Sequence, residues 1–327
     1  MNTRRKLLLG AGAMATPLVC FAQGQARKLA RVGVLSPLTA RAAEGVLGAL
    51  RAGLVELGWV EGRNLHLEVR YAEEKYDRLS TLASDLARSN VDVIVTGATP
   101  GALAALKATR TIPIVAVSTG DFVASGLVVS LARPGANLTG VTALGRELSV
   151  KRLSLLKETL PAVTQVAVLA NPDNPETSAM VSDLRAAARS LKISLQLLEA
   201  RTLAEIEKAF GAMTDLQVGA VLLLTDLTFY GHRALIVDFA LKRSLAAMFP
   251  FEEMATNGGL MYYGASLIEM YRHAATYVDK ILKGARPAEL PVEQPTRFEL
   301  VVNVRTAKRL GLTIPPEIMV QATRVIQ

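Results

Sequence analysis

The chain has 327 residues, 50% of them apolar, and sets 37 Lys and Arg against 29 Asp and Glu for a formal charge of +8. A single cysteine, Cys20, excludes a disulfide framework and thiolate sites, and the three histidines, His66, His232 and His273, stand too far apart for a metal-ligating spacing. The basic residues are scattered among acidic ones, Arg70 near Glu73 and Glu74 for example, with no stripe of basic and aromatic residues, so nucleic acid is excluded as a partner.

Residues 1–22 are predicted to be an export leader. Thr3-Arg4-Arg5-Lys6 is a basic front, Leu7-Leu8-Leu9 opens a short apolar middle, and Cys20-Phe21-Ala22 ends on a small residue at the expected cut. The paired arginines point to the twin-arginine route, and the apolar run is too short to span a bilayer. Pro17-Leu18-Val19 is a poor match to the small residues that precede a lipid-modified cysteine, so a free periplasmic protein is expected and lipid anchoring at Cys20 is not. Removal of Arg4, Arg5 and Lys6 lowers the charge by three, from +8 to +5. Gly10-Ala11-Gly12-Ala13-Met14-Ala15 imitates a dinucleotide-binding glycine pattern, but no strand precedes it.

From residue 29 onward, β-rich runs alternate with helical patterns. Leu29 to Ser36 reads as a buried strand, and Val46, Leu47, Leu50, Leu54 and Leu57 mark one helical face that stops at Gly58. Leu65 to Tyr71 is predicted as a strand, Tyr76 to Leu86 as a helix, Val91 to Thr96 as a strand, Pro100 to Ala108 as a helix and Ile112 to Val117 as a strand. Strict alternation implies a parallel sheet covered on both faces.

The pattern then repeats. Arg31-Val32-Gly33-Val34-Leu35-Ser36-Pro37 is answered by Gln165-Val166-Ala167-Val168-Leu169-Ala170-Asn171-Pro172, Leu67 to Tyr71 by Leu195 to Glu199, and Val91 to Thr96 by Val218 to Thr225. Ala246 to Pro250, a glycine-bounded run from Gly258 to Gly264, a long helix from Leu267 to Leu282 and a Pro-punctuated tail follow. That remainder is too small for a third domain and is expected to cross back. The fold class is therefore α/β: two Rossmann-like lobes with parallel sheets, joined by a multi-strand hinge. Residues 29–119 with about 251–285 are expected to form lobe I, and 120–250 with about 286–327 lobe II.

Ligands of open parallel sheets bind beyond the carboxyl ends of the strands, so the cleft between the lobes is the expected pocket for a small molecule. The strand ends nominate Ser36 and the polar residues after it, and Thr99, whose hydroxyl precedes Pro100 and either meets a carboxylate or caps a helix. Asn171 and Asn174, in Asn171-Pro172-Asp173-Asn174-Pro175, suit a rigid ligand-facing loop and equally an ordinary turn. Asp121 and Asp226 each follow an apolar strand, where a carboxylate either holds a ligand ammonium or hydroxyl or caps the next helix. Glu252, after Phe249-Pro250-Phe251, either turns to the cleft or stabilises a first helical turn. Phe229, Tyr230, Tyr262 and Tyr263 either stack on a ligand or pack in the core. No G-x-S-x-G elbow, P-loop or zinc signature is present, so no catalytic residue, metal or cofactor is expected.

Several longer runs carry a resemblance. Gly53-Leu54-Val55-Glu56-Leu57-Gly58-Trp59-Val60-Glu61-Gly62-Arg63-Asn64, Val91-Asp92-Val93-Ile94-Val95, Ile112-Pro113-Ile114-Val115, Ser125-Gly126-Leu127-Val128 through Arg133-Pro134-Gly135-Ala136-Asn137-Leu138-Thr139-Gly140-Val141, and Phe298-Glu299-Leu300-Val301-Val302-Asn303 resemble the ABC-transporter substrate-binding proteins of the tryptophan/tyrosine-binding type. The resemblance implies the type I periplasmic-binding fold, three crossovers, a membrane permease as partner, and cleft loops at Ser36, Thr99, Asp121, Asn171, Asp226 and Glu252. Phe122 stands where that family commonly has a proline, and residues 171–177 lack its Asn-Ser pair; both departures bear on the ligand and not on the fold. A monomeric periplasmic solute-binding subunit of an ABC importer, taking an amino acid-like or carboxylate-bearing ligand, is the resulting expectation. A ligand-sensing module for a membrane receptor and an exported hydrolase are the competing readings.

Overall fold

The computed structural model describes residues 29–118 and 120–327; the expected leader and Cys20 lie outside the described residues. β1 (Ala30–Ser36), β2 (Leu65–Tyr71), β3 (Val93–Gly97), β4 (Ile114–Ser118) and β5 (Leu138–Thr142) form a parallel sheet in the order β2-β1-β3-β4-β5. Every residue of β3, β4 and β5 is buried, as continuous apolar runs in a sheet covered on both faces require. α1 (Ala40–Glu56), α2 (Leu79–Arg88) and α3 (Ala98–Ala108) connect the strands. α1 begins where the Thr39 side chain accepts from the Ala42 amide at 3.1 Å, and buries Ala42, Ala43, Val46, Leu47, Leu50 and Leu54 along one stripe.

The second lobe runs through α4 (Gly145–Thr159), β6 (Gln165–Ala170), α5 (Thr177–Leu191), β7 (Ser194–Glu199), α6 (Leu203–Asp215), β8 (Ala220–Leu223), α7 (Leu227–Gly231), α8 (Arg233–Lys242), β9 (Ala246–Phe249), α9 (Glu252–Thr256) and β10 (Met261–Gly264). α10 (Leu267–Leu282) then returns to pack along α1. β11 (Glu299–Asn303), α11 (Val304–Arg309), α12 (Pro316–Gln321) and β12 (Arg324–Ile326) complete the second sheet, ordered β12-β11-β10-β9-β8-β6-β7. Its β7-β6-β8-β9-β10 portion reproduces the strand order of the first sheet, so the duplication legible in the sequence is a duplication of topology. The β10–β11 pair is antiparallel and the other pairs are parallel. Among the described residues no helix is long and apolar enough to cross a membrane.

Sheet membership departs from the expected division at three places. Residues 138–142 pair with β4 and so close the first sheet, which moves the first crossover from 119 to 143–144. Residues 252–264 stay with the second sheet through α9 and β10, which places the second crossover at 265–266. Residues 286–292 remain with the first lobe, Val292 donating to Leu131 O and Glu293 bridging Val141, so the third crossover starts at Glu293. The β5 strand carries Gly140 and follows Pro134-Gly135-Ala136-Asn137, a turn-like composition that hides it.

Gly140 has φ 143°, and a Cβ there would overlap the backbone of Ala116 on β4. Gly140→Ala is expected to lower the unfolding free energy by about 3 kcal/mol or more. Gly48→Ala, in an open position on α1, is expected to be neutral or stabilising by about 1 kcal/mol. Urea unfolding of the two variants side by side checks both.

Candidate functional site

In each sheet the chain leaves the first strand in one direction and the third in the other, which opens a crevice at their carboxyl ends. The two crevices face each other. From lobe I, Ala98, Thr99, Ser118 and Gly120 line a shared cavity; from lobe II come Asn174, Glu176, Thr225 and Asp226, with Met180 and Phe251 among its apolar walls. The free volume is about 20 Å³, room for one water, so the lobes are closed upon each other. Ala98 begins α3 at φ 61°, a left-handed conformation whose cost of about 1 kcal/mol or more places strain at the cavity wall.

Asp226 is the centre of the lobe II side. It follows β8 and caps α7, accepting from the Thr228 amide at 2.9 Å. Asn171 Nδ2 donates to one carboxylate oxygen at 3.1 Å and Asn174 Nδ2 to the other at 3.0 Å. From lobe I the Tyr76 hydroxyl lies 3.0 Å from both oxygens. All these donors are neutral, and Asp226 is only 3% exposed. Burial raises its pKa above the ordinary carboxylate value, against the lowering effect of the Asn171, Thr228 and Asn174 hydrogen bonds. Burial, with the Asp226 charge beside it, pushes the Tyr76 hydroxyl well above the ordinary phenol value, so Tyr76 remains a donor.

Two further contacts cross the cleft. Glu176, in the turn before α5, reaches the first lobe, where Ser125 Oγ donates to it at 2.5 Å, Thr99 Oγ1 at 3.4 Å and the Asp121 amide at 3.5 Å. His232 Nε2 lies 2.8 Å from Glu74 Oε2, both side chains largely buried. Arg146, which also lines the cavity, is held by both oxygens of Asp183 at 2.7 and 3.1 Å. Behind the site Arg152 is fully buried, donating to Tyr263 O at 2.7 Å and to Thr225 Oγ1 at 3.0 Å, and burial lowers its pKa to about 10.

Of the residues nominated from the sequence, Thr99, Asn174 and Asp226 meet at the cavity, and Asn171 supports Asp226 from behind. Ser36 does not line it; its hydroxyl turns back to accept from the Leu38 amide at 3.3 Å. The Asp121 carboxylate is exposed and caps its own turn through the amides of Val123 and Ala124, so only its backbone N–H faces the cleft. Glu252 pairs with Arg324 at 2.7 Å beside the hinge, away from the cavity. Phe229, Tyr230 and Tyr262 are buried in the core, and none of the four aromatic candidates lines the cavity. Glu176 falls within the loop from Asn171 to Thr177 that the strand-end rule points to, whereas Tyr76, Ser125 and Arg146 lie outside the loops nominated. Tyr76 sits just past the end of β2, where the strand-end rule used elsewhere would have found it.

Two duplicated α/β lobes closed over a shared cavity are the architecture of solute-binding proteins. Residues 31–326 match the family described as ABC transporter substrate binding protein, and the chain belongs to that family. A protein of Clostridioides difficile named tyrosine-binding protein is 24% identical over 277 residues, 84% of this chain and 78% of the relative. Among solved structures, a conserved domain protein of Vibrio cholerae shares 29% identity with a TM-score of 0.84, over 91% of this chain and 100% of its own. A Streptococcus pneumonia ABC domain in complex with L-Trp shares 24% identity with a TM-score of 0.81, over 90% and 100%. These relatives bear the expected fold and family. The family binds substrate for transport and is not one of enzymes.

The raised Asp226 pKa gives a signed prediction. The folded protein binds a proton at Asp226 before the unfolded chain does at its ordinary value of 3.8, so stability rises as pH falls through the raised value and the gain is complete below 3.8. Asp226→Asn lacks this slope. Wild type is expected to gain stability relative to Asp226→Asn as pH is lowered from about 7 to about 4, measured by urea unfolding. Parallel pH profiles would show that the carboxylate is not desolvated.

Proposed function

We propose that this protein is the periplasmic solute-binding component of an ABC import system, monomeric after export, and that it holds a small amine-bearing ligand between its lobes. The carrying observation is Asp226: a buried carboxylate at the cavity, satisfied only by neutral donors, with no salt bridge among the described residues. A buried anion of this kind gains most from a cation, and an ammonium group supplies one with three donors. The amino acids in the names of the Clostridioides and Streptococcus relatives support an amine-bearing solute. The basic and apolar pattern of residues 3–22 supports export.

On this reading the protein serves transport by population shift. Three short crossovers let the lobes part, and ligand contacts made from both lobes exist only when they are closed. The closed form is the one a permease would recognise.

Native mass spectrometry of the purified protein is expected to show a bound small molecule. Asp226→Asn should lose it, with affinity falling by about 100-fold or more, as expected when one partner of a desolvated charge pair is removed. Equal retention by the variant would overturn the role of Asp226. The ligand-free double variant Tyr76→Phe with Glu74→Ala is expected to spend more time open, because each lost hydrogen bond removes about 1 kcal/mol from closure. A larger radius of gyration in small-angle X-ray scattering would register it.

A further inference from the structure

We propose, resting on the cleft reading above, that Glu176 is the specificity-determining residue of this site: its own carboxylate fills the anion seat of lobe I, so the cleft selects an amine that carries no α-carboxylate. The seat is where a ligand carboxylate would be received, beside the first turn of α3 and the end of β4. Its donors, Ser125 Oγ, Thr99 Oγ1 and the Asp121 amide, all converge on Glu176.

The fit is built from both sides. Gly120 lies at the floor, and a Cβ there would stand 2.6 Å from Glu176 Oε1 and run into Thr99 Oγ1, so a side chain at 120 would evict the carboxylate. On its own lobe Glu176 is anchored by its amide, which donates to Asn174 Oδ1 at 3.0 Å, and by its carbonyl, which accepts from Met180 at 3.0 Å. The residue is 9% exposed. Asn174 thus holds Glu176 with its oxygen and Asp226 with its nitrogen, fixing the two carboxylates relative to each other.

Charge completes the argument. Glu176 and Asp226 line one small cavity, and the guanidinium that also lines it, Arg146, is already engaged by both oxygens of Asp183. A ligand carboxylate would face two anions with its own donors taken, whereas an ammonium meets attraction from both. The carboxylate-bearing ligand expected from Thr99 and the helix N-terminus is therefore replaced by its decarboxylated counterpart.

Isothermal titration calorimetry with matched pairs tests this: tyramine against L-tyrosine, tryptamine against L-tryptophan, and putrescine against L-ornithine, on wild type, Glu176→Ala, Glu176→Gln and Asp226→Asn. Wild type is expected to bind the amine of at least one pair at least about tenfold more tightly than its amino acid. Glu176→Ala, which empties the seat, should bring the amino acid up by about tenfold or more; Glu176→Gln, which keeps the seat filled without the charge, should bring it up less. Circular dichroism of each variant reports its folding, and Glu176→Gln keeps the test open if Glu176→Ala does not fold. An amino acid bound as tightly as its amine, an amine-to-acid ratio unchanged in both Glu176 variants, or no amine bound at all overturns the role of Glu176. Amine affinities unchanged in Asp226→Asn overturn instead the cleft reading on which it rests.

Discussion

The closed structure depends on how the Asp226 carboxyl group is satisfied in a place with almost no water. Taking a carboxylate out of water costs several kcal/mol, and neutral hydrogen bonds offset only part of that. Lobe II supplies Asn171, Asn174 and the Thr228 amide, and the remaining donor, Tyr76, comes from lobe I. Closing the cleft adds the Tyr76 donor while excluding water, and a solute cation would offset the cost that remains. The same need explains the Asn-Pro-Asp-Asn-Pro loop: the prolines fix a turn in which two amides point at one carboxylate.

A second buried charge ties this site to the hinge. Among the described residues Arg152 pairs with no carboxylate and is stabilised by the Tyr263 carbonyl and the Thr225 hydroxyl. Thr225 precedes Asp226, and Tyr263 ends β10 just before the crossover at 265–266. A guanidinium in that place ties the ligand-side end of β8 to the hinge-side end of β10. Burial lowers its pKa to about 10, which still leaves it charged at neutral pH.

The lobes, their duplication and the position of the cleft were legible because buried parallel strands write continuous apolar runs, and β1 and β6 share theirs almost residue for residue. Thr99, Asn171, Asn174 and Asp226 were legible because they stand at strand ends. What escaped the sequence is the direction of side chains across the gap. Asp121 and Asp226 look alike as carboxylates after apolar strands, yet one caps an exposed turn and the other is buried, a difference set by the opposing lobe. Glu176 and Tyr76 meet lobes they do not belong to, and no local pattern records such a meeting. The crossovers were misplaced for a related reason: β5 joins its sheet with a glycine at φ 143°, which reads locally as a turn.

Polar contacts cross the cleft beside apolar ones, α1 packing on α7 and buried residues of both lobes sharing one cluster. Tyr76 with Asp226, His232 with Glu74, and Ser125 with Glu176 each contribute about 1 kcal/mol net once exchange with water is counted. Tyr76 and Asp226 meet only with the lobes together, so an ammonium that touches both Asp226 and lobe I adds to the closed form alone and shifts the populations toward it.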